Sequence, residues 1–250
     1  LHRKKGKPSM KPAIETKNLT KRYKDVIAVD ALNLTVEKGE LFALLGVNGA
    51  GKTTTVKLLC GLLKPTKGEA FLQGYSILTS TAGVKSIIGV SPQETAVAPN
   101  LTVRENLMLM CGVHGFSKAR QRQKTAELCE RLGLAPVAAK KAGRLSGGWQ
   151  RRLSIAMALV TEPEILFLDE PTLGLDVLAR SELWDLICAL KGKVTVVLTT
   201  HYMEEAEFLA DRVGVMKNGR LLQTGTVLAL KEQTGSPNLE AAFIKIVKGD

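Results

Sequence analysis

The stretch from Leu41 to Thr54 limits the possible folds of this chain more than any other part of it. Leu41-Phe42-Ala43-Leu44-Leu45 is an unbroken apolar run of strand length, Gly46-Val47-Asn48-Gly49-Ala50-Gly51-Lys52-Thr53-Thr54 follows it, and Val56, Leu58 and Leu59 open a helical pattern. A strand, a glycine-rich turn and a helix with the spacing G-x-x-x-x-G-K-T read as a nucleotide phosphate loop. Glycines at 46, 49 and 51 let the backbone wrap an anion and turn several N–H groups inward at the positive end of a helix. Lys52 adds a full charge that reaches the β- and γ-phosphates, while the Thr53 hydroxyl suits Mg²⁺. Asn48, Ala50 and Thr54 complete the candidate nucleotide-contacting segment. Kinases, small GTPases, motors and transporters share such a loop, so the loop alone does not choose among them.

The chain of 250 residues, 45% of them hydrophobic, is long enough to bury a sizeable core in one large domain or two modest ones. No run approaches the eighteen or so apolar residues that span a bilayer. The first eleven residues are basic with no apolar segment after them, which does not suit a secretory signal peptide. Cys60, Cys111, Cys129 and Cys188 are scattered without metal-type spacing and are expected to be reduced core residues of a cytosolic chain. The formal net charge of +11 is concentrated in two places. Five positives lie in the first eleven residues, and between residues 100 and 160 eleven basic residues face three acids. Such stretches can meet nucleic acid or the anionic inner face of a membrane, or can be solvated helix faces.

In chain order, residues 13–20 and 26–36 show the broken alternation of short antiparallel strands, with Tyr23 between them. That tyrosine can stack on an adenine ring or simply cover a sheet edge. Residues 69–72 and 87–90 read as strands, and Gln93, just past the second, can face a metal or an attacking water. From 102 to 134 the pattern is helical, with Ser117 as N-cap and Gly133 as C-cap, so an all-helical insertion interrupts an α/β chain. It ends at Leu145-Ser146-Gly147-Gly148-Trp149-Gln150, where Ser146, Gly147 and Gly148 open a helix as a second anion site or as a plain N-cap. The apolar run from Ile165 closes on Asp169 and Glu170, as a central parallel strand delivering carboxylates to a sheet's carboxyl edge should. Adjacent strand residues point to opposite faces, which assigns Asp169 to the Mg²⁺ shell and Glu170 to a general base. His201 follows the strand at 194–200 and is expected to touch phosphate. A helix at 203–210, a hairpin at Asn218-Gly219 and two short helices near Val227 and Leu239 complete the chain.

Taken in order over residues 13–247, these motifs resemble those of the ATP-binding subunits of ABC transporters. Gly46 to Thr54 resembles that family's Walker A, Gln93 its Q-loop, Leu145 to Gln150 its signature, Ile165 to Glu170 its Walker B, Leu173 to Asp176 its D-loop and His201 its H-loop. The resemblance implies an α/β P-loop NTPase with a mixed core sheet, an antiparallel β subdomain and an inserted all-helical subdomain. It implies a basic, disordered tail at 1–11, an ATP-binding core at 12–93 and 161–228, a helical signature subdomain at 94–160 and a C-terminal helical extension at 229–250. The implied cofactors are ATP and Mg²⁺, with Thr53, Gln93 and Asp169 at the metal and Glu170, His201 and Gln93 in catalysis. Tyr23 takes the adenine-stacking role, and Ser146, Gly147, Gly148 and Asp176 join the nucleotide site. Two copies would pair head to tail, each Ser146-Gly147-Gly148 closing over the γ-phosphate held by the other's Lys52. The implied partners are integral membrane subunits at the cytoplasmic face of the cell membrane, with no nucleic acid. The wording from Glu170 to Asp176 and from Thr199 to Glu205 looks most like bacterial ABC-2 exporters of drugs, antibiotics, lipids or similar compounds. Val47 and Trp149 depart from the family's usual residues without removing a phosphate-contacting group. The alternatives are an ABC-type ATPase of DNA repair or translation, which would carry a long coiled coil or tandem cassettes, and a phosphate-loop kinase, for which no acceptor motif is visible.

Overall fold

The computed structural model describes residues 11–249, so ten of the eleven residues of the expected basic tail lie outside it. Two sheets organise the rest. The first contains β1 (Ile14–Tyr23), β2 (Val26–Leu32), β3 (Thr35–Val36), β5 (Lys67–Leu72) and β6 (Tyr75–Ser76), paired antiparallel in the order β2-β1-β5-β6 with β3 also on β1. The second has the order β11-β10-β4-β9-β8-β7, formed by β4 (Leu41–Leu45), β7 (Ile88–Ser91), β8 (Ile165–Asp169), β9 (Thr195–Thr200), β10 (Arg212–Lys217) and β11 (Arg220–Gly225). All its neighbours pair parallel except β10 and β11, which form a hairpin. The core sheet is therefore mixed, in an α/β fold of the expected class.

The apolar runs are unbroken because this sheet is covered on both sides. Leu41, Ala43 and Leu45 of β4 pack into one hydrophobic cluster, with Leu166 and Leu168 of β8 and Val196 and Leu198 of β9. Phe42 and Leu44, one step out of phase, join a second cluster with Phe167, Val197 and the antiparallel sheet residues Ile14, Leu19, Val29 and Leu32. Helix α1 (Lys52–Leu59) lies in that second cluster through Val56, Leu58 and Leu59. Residues 69–72 and 87–90 were expected as strands; the first belongs to the longer β5, and Ile87 instead ends helix α2 (Thr81–Ile87). Seven residues with only Val84 and Ile87 as large apolar side chains carry too little periodicity to announce that helix.

The insertion holds α3 (Val103–Val113), α4 (Lys118–Arg131), two short 3₁₀ turns and α5 (Gly147–Ala158). Thr102 starts α3 with a capping box: its hydroxyl accepts from Glu105 N at 3.1 Å, and Glu105 Oε2 accepts from Thr102 N at 2.7 Å. Ser117 caps α4 as expected, and Gly133, at φ 64°, takes the left-handed position just past its end. Helices α6 (Val177–Cys188), α7 (Met203–Leu209), α8 (Val227–Thr234) and α9 (Leu239–Lys248) follow. At the β10–β11 hairpin, Asn218 and Gly219 have φ of 50° and 78°, the paired positive values of a two-residue turn. The four cysteines are free, three of them buried. Among the described residues no helix is long and apolar enough to cross a membrane.

Candidate functional site

Because β4 sits between β10 and β9, its carboxyl end delivers the glycine-rich loop to the middle of the core sheet. Gly51 caps α1 at φ 105°, with its backbone pressed so closely on β2 that a Cβ there would lie 2.3 Å from the Ala28 carbonyl oxygen. The hairpin tip braces the loop from the other side: Gly219 N donates to Ala50 O at 2.9 Å, and Asp30 N donates to Gly219 O at 2.8 Å. A cavity of about 630 Å³ opens over this loop, within the range of small-molecule sites. Asn48 to Thr54 form its floor, Val26 to Ala28 one wall, and Gln93, Glu170, Leu173, His201 and Asn218 the remainder.

Charged groups meet at the mouth of the loop. Lys52 is buried; its Nζ donates to Gly46 O at 2.7 Å and lies 3.1 Å from Glu170 Oε1. The other Glu170 oxygen, Oε2, is 2.6 Å from His201 Nδ1. Thr53 Oγ1 donates to Asp169 Oδ1 at 3.2 Å, and Thr199 Oγ1 donates to the same oxygen at 2.5 Å. The expectation that strand alternation separates Asp169 from Glu170 needs correction. Strand β8 ends at Asp169, and Glu170 turns out of it with φ 50°, its N donating to Thr199 O at 3.1 Å. Both carboxylates thus face the start of α1, one through Thr53 and the other through Lys52.

Gln93 is set from the helical insertion. Arg151, nearly buried on α5, donates to Pro92 O and Gln93 O at 2.6 Å each, so the glutamine's backbone is clamped to the helix that Ser146 caps. Thr53 and Asp169 present a hydroxyl and a carboxylate side by side. Oxygen donors this few suit magnesium, which keeps waters and takes substrate phosphates instead of an all-protein cage. Among the described residues no cluster of three or more His, Cys, Asp or Glu side chains has metal-binding geometry.

Other residues singled out from sequence lie apart from the cavity. Ser146 caps α5 without a side-chain capping bond, and its helix start lines a separate small hollow with Gly148, Trp149 and Ala179. Asp176 accepts from Ala179 N at 2.9 Å as the N-cap of α6. Tyr23 ends β1 opposite Val26, half exposed, with Lys21 Nζ 5.0 Å from its ring centre. Sequence reasoning missed Val26, Ile27, Ala28 and Asn218 of the cavity lining, and also Thr199 and Arg151, whereas Leu173 had entered with the D-loop resemblance. Only the Asn218-Gly219 dipeptide carried a signal, and it was read as a turn.

Over residues 29–173 the sequence matches the family described as ABC transporter. The chain is 42% identical over 253 residues to the probable multidrug ABC transporter ATP-binding protein YbhF of Escherichia coli, covering 99% of this chain and 43% of that protein. It is 43% identical over 225 residues to the daunorubicin/doxorubicin resistance ATP-binding protein DrrA of Streptomyces peucetius, covering 90% of this chain and 68% of that one. The chain therefore spans less than half the length of the first of these relatives. Among solved structures, an ATP-binding subunit of an ABC transporter superposes with a TM-score of 0.82 at 28% identity, covering 94% of this chain and 99% of that one. The dimeric ABC transporter cassette MJ0796 gives 0.76 at 30% identity, covering 85% and 98%.

Proposed function

Because the chain belongs to the ABC transporter family as one of its ATP-binding subunits, we propose that it hydrolyses ATP in a head-to-tail pair of such domains and drives transport through separate membrane subunits. The observation that carries the reading is the contiguous set Lys52, Glu170 and His201 at the mouth of the phosphate loop. The loop amides and Lys52 hold the β- and γ-phosphates, with the start of α1 supplying further positive potential. Glu170 accepts a proton from the attacking water as its oxygen bonds to the γ-phosphorus, and the β–γ bridging oxygen leaves with ADP. His201 orients Glu170 and faces the transferred phosphate. Thr53, Asp169 and Gln93 would hold Mg²⁺, which would offset phosphate charge. Tyr23 stacks on the adenine beyond Val26.

The uncapped Ser146 hydroxyl and the start of α5 lie away from this chain's own loop, which suits a contribution to the loop of a second copy. Export, at the cytoplasmic face of the membrane, is favoured by the drug-resistance relatives. Apart from the buried Lys124 and Arg151, the basic residues between 100 and 160 form surface of the insertion next to membrane subunits and anionic lipid, without a nucleic-acid role. Measured Mg-ATP turnover of the wild type against Glu170→Gln tests the proposal. The variant should bind ATP, accumulate nucleotide-dependent dimers and turn over at least about a hundredfold more slowly; near-equal turnover would sink the assignment.

A further inference from the structure

Behind the Glu170–His201 pair lies an acid for which the reaction outlined above has no use. Glu205, on α7, is fully buried. Its Oε1 accepts from Trp184 Nε1 at 3.2 Å, whereas its Oε2 has no hydrogen-bond partner. Arg151, whose charge interacts with that of Glu205, spends its guanidinium on the carbonyls of Pro92 and Gln93. The polar groups that face the carboxyl are the hydroxyls of Thr200 and Thr172. Thr172 is itself buried, and its hydroxyl also lacks a partner. Thr200 immediately precedes His201, and Thr172 lies two residues after Glu170, in the turn that carries it.

We propose that Glu205 is a positioning residue for hydrolysis, its carboxyl joining the Thr172 turn to the Thr200 strand end and so setting Glu170 relative to His201. The inference rests on the ATPase reading above. Neither Glu205 Oε2 nor the Thr172 hydroxyl makes a well-formed hydrogen bond, although the hydroxyl is close enough to pull the carboxyl's pKa down, and two such buried oxygens are costly unless the bond between them tightens at some stage of the cycle. Hydrogen bonds in a nucleotide-free site are often loose and tighten in the reacting complex. A Glu205–Thr172 bond completed only when the Glu170 turn reaches its reacting position stabilises the transition state more than bound ATP, and therefore acts on kcat. Burial raises the Glu205 pKa against the opposing pull of the hydrogen-bonding groups of Thr200, Thr172 and Trp184, and the negative charge of Glu170 adds a smaller push in the same direction as burial.

Steady-state hydrolysis by wild type, Glu205→Ala, Glu205→Gln and Thr172→Val tests this, with nucleotide affinity and thermal melting measured on each. Glu205→Ala and Thr172→Val should each lower kcat about tenfold, the value of one well-made hydrogen bond, with KM for ATP little changed. Glu205→Gln, neutral and of the same shape, should recover most of the loss. The Ala and Val changes combined should cost little more than either alone. An unimpaired Glu205→Ala, fully additive losses, or Gln as damaging as Ala in a chain that still binds ATP would overturn the inference. A wild type that binds ATP without hydrolysing it would overturn the proposed function and this inference together.

Discussion

Gly51 shows how much of the site depends on one missing side chain. Its φ of 105° and the 2.3 Å gap between a built Cβ and Ala28 O mean that alanine adds backbone strain and a clash with a strand that cannot retreat. Gly51→Ala should cost about 2 kcal/mol or more of stability and weaken nucleotide binding, read by thermal melting and by titration with ATP. Gly49 is different: its φ is 81°, but nothing lies within 4 Å of a built Cβ, so only the backbone term applies there. Sequence spacing identifies both glycines as loop residues and does not distinguish them, because the difference is the approach of β2. Glu170 adopts φ 50° without being a glycine, a conformation held by its backbone bond to Thr199. Strain of that kind gathers at working sites, and nothing in the run from Ile165 to Glu170 announces it.

Among the elements, α5 joins two motifs that lie far apart in the chain. It starts at Ser146 and, one turn later, clamps the Gln93 segment through Arg151. Arg151→Met keeps an aliphatic stem in that nearly buried position and removes both bonds. It should lower kcat by about tenfold while leaving ATP affinity largely intact, and should speed amide exchange around residues 91–95. Faster exchange without loss of turnover would show that the clamp is not used. The α3 capping box allows a smaller test. Thr102→Ala should cost about 1 kcal/mol in denaturant unfolding. The bonds from Thr102 also depress the pKa of Glu105. The capping contribution of a group depressed in the folded state is complete above its unfolded pKa and is lost as pH falls through the folded one, so the Thr102→Ala effect should shrink in acid. The helical pattern and the Ser117 and Gly133 ends were readable from sequence because capping is local. The reciprocal Thr102–Glu105 pair was also present there as T-x-x-E, though it was not singled out.

For the whole molecule, the separation of Ser146 from Lys52 within one chain makes each proposed site a shared one. Turnover per chain should rise with protein concentration as pairs form. Lys52→Ala and Ser146→Ala should each be inactive alone, yet their equal mixture should regain roughly a quarter of wild-type turnover, since random pairing gives half hybrids with one intact site each. A mixture as inactive as its components would contradict the shared site.

Residues close in the chain carried most of the functional reading. The phosphate loop, the carboxylates at the end of β8, the hairpin at Asn218-Gly219 and the helix start at Ser146 are built from neighbours, whose glycine conformations, caps and apolar periods obey short-range rules. The shape of the working site depends on contacts that no period encodes. Thr199 fixes Asp169 from thirty positions away, Arg151 holds Gln93 from fifty-eight, and Gly219 supports Ala50 from across the sheet. In sequence Glu205 is one of three acids, with Glu204 and Glu207, on a short helix. Its complete burial beside Trp184 and Thr172 arises only when α7 packs against α6 and the core sheet, because desolvation depends on what surrounds a group in space and not on what flanks it in the chain.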